Sequence, residues 1–592
     1  MHTFLDGLNE IGADQYASPQ CHLECHGALR LDAGLHRRRI VLHGLRGTAD
    51  NPIVLTGTLD GAPQDLEPHG AVFIKGSVCS EPDHATDRRT FKTWFQGAHD
   101  EAAYRTIAEH IARRREAGGH FPTQAETADQ AIITLIDCQH VVLRDIGFVD
   151  CWPTAIYLDN CRFITLDRLR FEGGTYAIGA NGSNTHDIVV ENCRFRCAER
   201  IWRDVEWSTI HGYVRDGTAV AEDDNRHFDG DFFRAWGVFG NVTIRNNWIG
   251  DAFNGIHFFA RAAQRRRDLK GDVLDKKTEA YSEGGIGTSL DVQGAINVLI
   301  ENNVFYRIAD NCIEPEDFAY NWVVRHNRID NCYRPFSLEM KQTGWIYIYG
   351  NAGHLVEKPG PRKVTPSLFK VSKQQNGGGP VYVVHNSWHL HSRHLSKGML
   401  RGLKLFNNAI EFKVARAKVG LADGEIGGGF LGAGTWAPIS DQNAPDPNMS
   451  KNFSRRWDKL DISVDGNLSN DVFTQGAELG TSLYHEKGYT FGRNNAFARN
   501  TLLNSEQALF ELTKHARKAQ TPVSWTLELP LRFGEKIARS FPVAAETCGA
   551  IMEDGTPYSP KLPGIPAEAD FPFLPETPHG RVGDDMEQKI VS

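Results

Sequence analysis

The sequence predicts an all-β chain wound as a parallel β-helix, and three observations predict it. Short alternating apolar lines recur, they recur at a near-constant period, and one asparagine keeps the same place in them. The lines are VVLRDIGF (141–148), ITLDRLRF (164–171), IVVENCRF (188–195), VTIRNNWI (242–249), VLIENNVF (298–305), WVVRHNRI (322–329), IYIYGNAG (346–353), VYVVHNSW (381–388) and LKLFNNAI (403–410). Phe148 to Phe171 is 23 residues, Phe171 to Phe195 is 24, and Asn303 to Asn327 to Asn351 is 24 at each step. The recurring asparagines are Asn247, Asn303, Asn327, Asn351, Asn386, Asn408 and Asn467.

Repetition at a fixed period is the signature of a solenoid. A coil of this length stacks on copies of itself, with parallel strands ~4.8 Å apart. Asparagine tolerates the left-handed backbone of a tight corner, and its side chains can stack as a ladder. A leucine-rich repeat has an overlapping period but needs Leu-x-x-Leu-x-Leu ahead of its Asn, which these lines lack.

In chain order, 1–60 reads as an N-terminal cap and first coils. CHLECH (21–26) holds metal-type ligands but no second Cys pair at finger spacing. Residues 61–130 read as an insertion, with an amphipathic helix predicted over 100–119. Residues 131–474 are the solenoid, interrupted near 196–240, 261–290 and 412–460. Residues 475–592 read as late coils and a packed tail. Long insertions in a solenoid usually emerge on one face and build its binding site.

Composition excludes several classes. The 592 residues are 41% hydrophobic and 23% charged, as in a globular protein, and the net charge of −9 is wrong for a general nucleic-acid binder. No apolar run reaches the ~18–20 residues of a membrane span. The N-terminus has neither a basic nor an apolar signal region, which fits a cytoplasmic protein or a secreted one whose signal has been removed, and localisation stays open. An oligomer is possible.

The repeated pattern [IV]-x-[IV]-x-N-N-x-[FI] resembles the pectate-lyase-like superfamily of right-handed parallel β-helices. LHGLRGTADNPIVLTG (42–57) is similar to the opening coil of secreted β-helix polysaccharide lyases and glycosidases. The resemblance implies a single-stranded right-handed parallel β-helix, a carbohydrate-active enzyme and a poly- or oligosaccharide substrate.

After its corner each line continues into a second strand. Ile156, Ile178, Ile256, Ile313, Phe336 and Phe369 align as inward residues. Alternate side chains then face out, giving one column of Tyr157, Gly179, His257, Glu314, Ser337 and Lys370. A second column holds Asp159, Asn181, Phe259, Glu316, Glu339 and Ser372. Glu314, Glu316, Glu339 and His257 should form one patch, edged by Arg334, Lys341 and Lys370. A lone outward Glu would be ordinary surface, but aligned carboxylates destabilise a sheet and suggest function.

The expected chemistry is glycoside hydrolysis, with Glu314, Glu316 and Glu339 supplying a general acid and a base or nucleophile and with no cofactor. Such pairs lie about 5–5.5 Å apart for retention and about 6.5–9.5 Å for inversion. His257, Arg334, Lys341, Lys370, Tyr157 and Trp236 would bind substrate, joined by Asp229 and Asp231 of the acidic segment. The alternative is a polysaccharide lyase acting by β-elimination on a uronate polymer. Glu314-x-Glu316 resembles the Glu-x-Glu calcium ligands of the chondroitinase-B and alginate-lyase group, which implies Ca²⁺ at Glu314 and Glu316. That group carries its base lysine shortly after the Glu pair, where DFAYNWVV (317–324) has none. A third reading is a non-catalytic glycan-binding β-helix.

Overall fold

The structure, a computed structural model, describes residues 40–57, 131–197 except 153, 174 and 175, 230–259, 295–355 except 339, 366–371, 380–391, 402–412 and 461–469. It also describes short strands outside these ranges. Three parallel sheets wrap one apolar core. A representative coil runs through Thr154–Asp159, Arg162–Asp167 and Arg170–Glu172, one strand in each sheet. The next coil repeats it as Tyr176–Asn181, His186–Glu191 and Arg194–Arg196. Equivalent residues pair in register: Ile156 with Ile178, Ile164 with Ile188, Phe171 with Phe195. This is the right-handed parallel β-helix expected from the repeats.

The segment 196–240, expected as an insertion, contains a full rung, Asp231–Trp236, lying between Tyr176–Asn181 and Asn254–Phe259. The helix expected over 100–119, CHLECH, 261–290 and 413–460 lie outside the described residues. Near the C-terminus, Tyr489–Phe491 and Ala496–Phe497 add parallel strands to two of the sheets. Among the described residues no helix is long and apolar enough to cross a membrane.

Side chains from alternate positions fill the core because each strand has period two. Ile156, Ile178, Phe233, Ile256, Ile313, Phe336 and Phe369 are all buried on successive rungs. The asparagine ladder is continuous. The Asn247 Nδ2 donates to Asn303 Oδ1 at 3.0 Å, and the same step repeats through Asn327, Asn351, Asn386, Asn408 and Asn467. Each amide also donates to a carbonyl of the preceding coil, and each Oδ1 accepts a backbone N–H. The left-handed backbone sits one residue earlier, at Asn246, Asn302, His326, Gly350, His385, Asn407 and Gly466. The ladder asparagine is therefore selected for its amide, and its predecessor makes the turn.

Gly240 enters its strand at φ +147°, and an added Cβ would meet the Ile296 carbonyl oxygen at 1.8 Å. Gly240→Ala should cost at least about 1–3 kcal/mol from the backbone conformation alone, read as a lower melting temperature.

Candidate active site

The sheet containing Thr154–Asp159 and Asn254–Phe259 presents the predicted columns outward, with one addition. The central column runs Tyr157, Gly179, Arg234, His257 and Glu314 on successive rungs, then Ser337 beside Lys370. The neighbouring column runs Asp159, Asn181, Trp236, Phe259 and Glu316. An outward solenoid face is wet by default, yet this one is covered. Arg234 is 0% exposed, His257 1% and Glu314 3%.

Burying charge costs heavily unless it is paired, and the pairs are present. His257 Nε2 lies 3.2 Å from Glu316, and its Nδ1 lies 3.3 Å from Glu314 but off the hydrogen-bonding axis. Its ring stacks on Phe259 with centroids 4.3 Å apart. Lys370 Nζ reaches Glu314 at 3.5 Å and Asp310 at 3.7 Å. Arg334 donates to the Tyr333 hydroxyl at 2.6 Å and lies over its ring. Burial raises the Tyr333 phenol above its ordinary range, and the nearby Arg334 and Lys370 charges only partly offset this. It therefore stays a proton donor across neutral pH.

The Tyr157 end of the face is an aromatic and ionic wall. Tyr157, Tyr176, Trp236 and Phe259 pack together. Arg234 pairs with Asp231 and lies within 5.3 Å of the Tyr176 ring and 5.1 Å of the Phe259 ring. Cutting the Arg234–Asp231 pair leaves a buried carboxylate uncompensated. Arg234→Met should therefore destabilise the fold by roughly 3–5 kcal/mol. Adding Asp231→Leu should restore much of that loss, and urea unfolding of both variants checks this.

The same face holds buried polar atoms with no hydrogen bond from the described residues: Trp236 Nε1, His257 Nδ1 and Ser337 Oγ. Such groups usually require explanation. Here they line the rungs that carry His257 and Glu314, as a face that meets a hydroxyl-rich ligand would.

Of the predicted site residues, Glu314, Glu316, His257 and Lys370 come together, with Arg334 on the adjoining rung. Tyr157, Trp236 and Asp231 lie within the buried wall. Glu339 and Asp229 lie outside the described residues, as does the side chain of Lys341. Three residues escaped the sequence reading: Arg234, Asp310 and Tyr333. The signal for Arg234 was present, since DFFRAW aligns with NGIHFF when Phe233 and Ile256 are matched.

The ligand atoms of His257, Glu314 and Glu316 lie within 4.8 Å of one another. Two carboxylate oxygens and a buried imidazole nitrogen fit a divalent cation, with oxygen donors of the kind calcium requires.

No protein-family model matches the chain, and no curated protein sequence matches it. Solved structures do. A mannuronic acid specific polysaccharide family 6 lyase from human gut microbiota is 10% identical at TM-score 0.40, covering 86% of this chain and 95% of its own. The PL6 family polysaccharide lyase Pedsa3628 from Pseudopedobacter saltans is 10% identical at TM-score 0.40, covering 83% and 92%. A family 28 exopolygalacturonase from Yersinia enterocolitica is 11% identical at TM-score 0.34, covering 69% and 76%. At these scores the likeness bears on neither reaction nor site.

Proposed function

We propose that the protein is a carbohydrate-active enzyme that cleaves a uronate-containing polysaccharide by β-elimination at the His257–Glu314–Glu316–Lys370 cluster. One observation carries the choice over hydrolysis. Asp231, Asp310, Glu314 and Glu316 each face Arg234, Lys370 or the His257 imidazole. A hydrolase needs only a carboxyl pair, and these carboxylates instead share their surroundings with a lysine cation and an imidazole.

Elimination needs other things: a positive site for the sugar carboxylate, a base for the proton α to it, and an acid for the leaving oxygen. Lys370 supplies charge for the carboxylate. His257 takes the α proton, with Glu316 holding its ring. The β C–O bond then breaks, its electrons pass to the leaving oxygen, and a C=C bond forms. The Tyr333 hydroxyl returns a proton to that oxygen. A Ca²⁺ ion held by Glu314 and Glu316 would supply further neutralisation of the sugar carboxylate.

A second reading, retaining hydrolysis, has support from the close approach of the Glu314 and Glu316 oxygens, within 4.8 Å and near the spacing of such pairs, about 5–5.5 Å. Digestion of uronate-containing and neutral polysaccharides, with and without chelator, tests the proposal. An ultraviolet-absorbing unsaturated product from a uronate polymer is expected. Cleavage of a neutral polymer without that absorbance would sink it.

A further inference from the structure

A second cluster lies on a different sheet of the solenoid and takes no part in the proposed reaction. His354 is on the strand Ala352–Leu355 and His389 on Ser387–Leu390, and the two pair directly across the rungs. His391 follows His389 by two residues, which puts both on the side of the strand opposite Trp388 and Leu390. Potential ligand nitrogens of the three imidazoles lie within 4.8 Å of one another.

We propose that His354, His389 and His391 bind a transition-metal dication, zinc by their ligand chemistry. Three observations support this. First, His389 Nδ1 meets Glu411 Oε2 at 2.8 Å on the next rung. A carboxylate there holds the proton on Nδ1 and leaves the Nε2 lone pair facing the other rings, the arrangement that orients metal-bound histidines. Second, that Nε2 is buried and has no hydrogen-bond partner among the described residues, while His389 itself is 0% exposed. A stack of imidazoles serving only as packing would leave this buried polar atom unmet, which is costly. Third, His354 Nε2 and His391 Nε2 are 3.4 Å apart. Two nitrogens bound at about 2.0–2.1 Å on a tetrahedral zinc would be separated by about 3.3–3.4 Å.

The ligand type selects the ion. Imidazole suits zinc, copper and nickel, whereas calcium and magnesium prefer oxygen. Three protein ligands leave a fourth position for water, and half-buried His354 and His391 lie on its accessible side. The ion would also fasten two rungs whose ligands are 37 residues apart in the chain.

Calorimetric titration of the full, chelator-dialysed chain with zinc chloride tests this, with calcium chloride in parallel. One tight zinc equivalent is expected, undisturbed by calcium. His389→Ala and the less buried His391→Ala should each weaken it at least ~100-fold, and Glu411→Gln by about 10–100-fold. His257→Gln, which removes the imidazole of the carboxylate cluster, should leave the zinc equivalent unchanged. Absence of tight zinc binding, its persistence in a folded His391→Ala, or its loss in His257→Gln would overturn the assignment.

Discussion

Replacing Glu314 by glutamine should lower kcat/KM on the uronate polymer by roughly 10²–10³-fold, the size of effect seen when one preorganised electrostatic group is removed from a site. The shape of the side chain is kept, so the loss reports its charge. Glu314 sits 3% exposed between Lys370 at 3.5 Å and His257 at 3.3 Å. Without its charge, Lys370 retains Asp310 at 3.7 Å and swings toward it, away from the substrate carboxylate. Most of the loss should therefore appear in kcat, with a smaller rise in KM. Steady-state kinetics alongside a melting curve separate this from misfolding. Equal kinetics in a folded variant would remove Glu314 from the reaction.

The second large effect concerns the fold itself. Asn327 sits mid-ladder, and its side chain makes four buried hydrogen bonds. Its Nδ2 donates to Ile300 O and Asn351 Oδ1, and its Oδ1 accepts from Asn303 N and Asn303 Nδ2, all at 2.9–3.0 Å. Asn327→Ala strands several of these partners away from water, at about 1–3 kcal/mol for each unsatisfied group. A total loss of roughly 3–6 kcal/mol is expected, allowing for partial relaxation. Asn327→Asp should be no better, because a carboxylate cannot donate to either acceptor and its charge is buried. Urea unfolding of the two variants measures both. A loss under about 1 kcal/mol, the net worth of one ordinary hydrogen bond, would show that the ladder follows from the fold and does little to hold it.

Much of this architecture is legible in the sequence because a solenoid repeats its constraints. The alignment of Ile156, Ile178, Ile256, Ile313, Phe336 and Phe369 keeps its inward parity in the pairing register, with the Phe233 rung added between Ile178 and Ile256, since one slipped residue would invert every side chain. That register alone places Glu314 beside His257. What the repeat does not carry is harder to read. Arg234 lies on a rung whose flanking sequence is acidic and aromatic, so its alternation is masked by composition. The contact of Lys370 with Glu314 spans 56 residues, and its partner Asp310 lies at a corner outside the aligned columns. The burial of the outward face has no local signature either, because strand periodicity reports which side a residue faces and says nothing of what covers it.

The reaction assignment is tested most directly by the masses of the products released from a uronate oligosaccharide of defined length. Elimination adds no water, so the two fragments should together weigh the same as the parent, and Glu314→Gln should suppress both. Fragments that together weigh the parent plus one water would contradict the account, placing hydrolysis at this carboxylate pair instead.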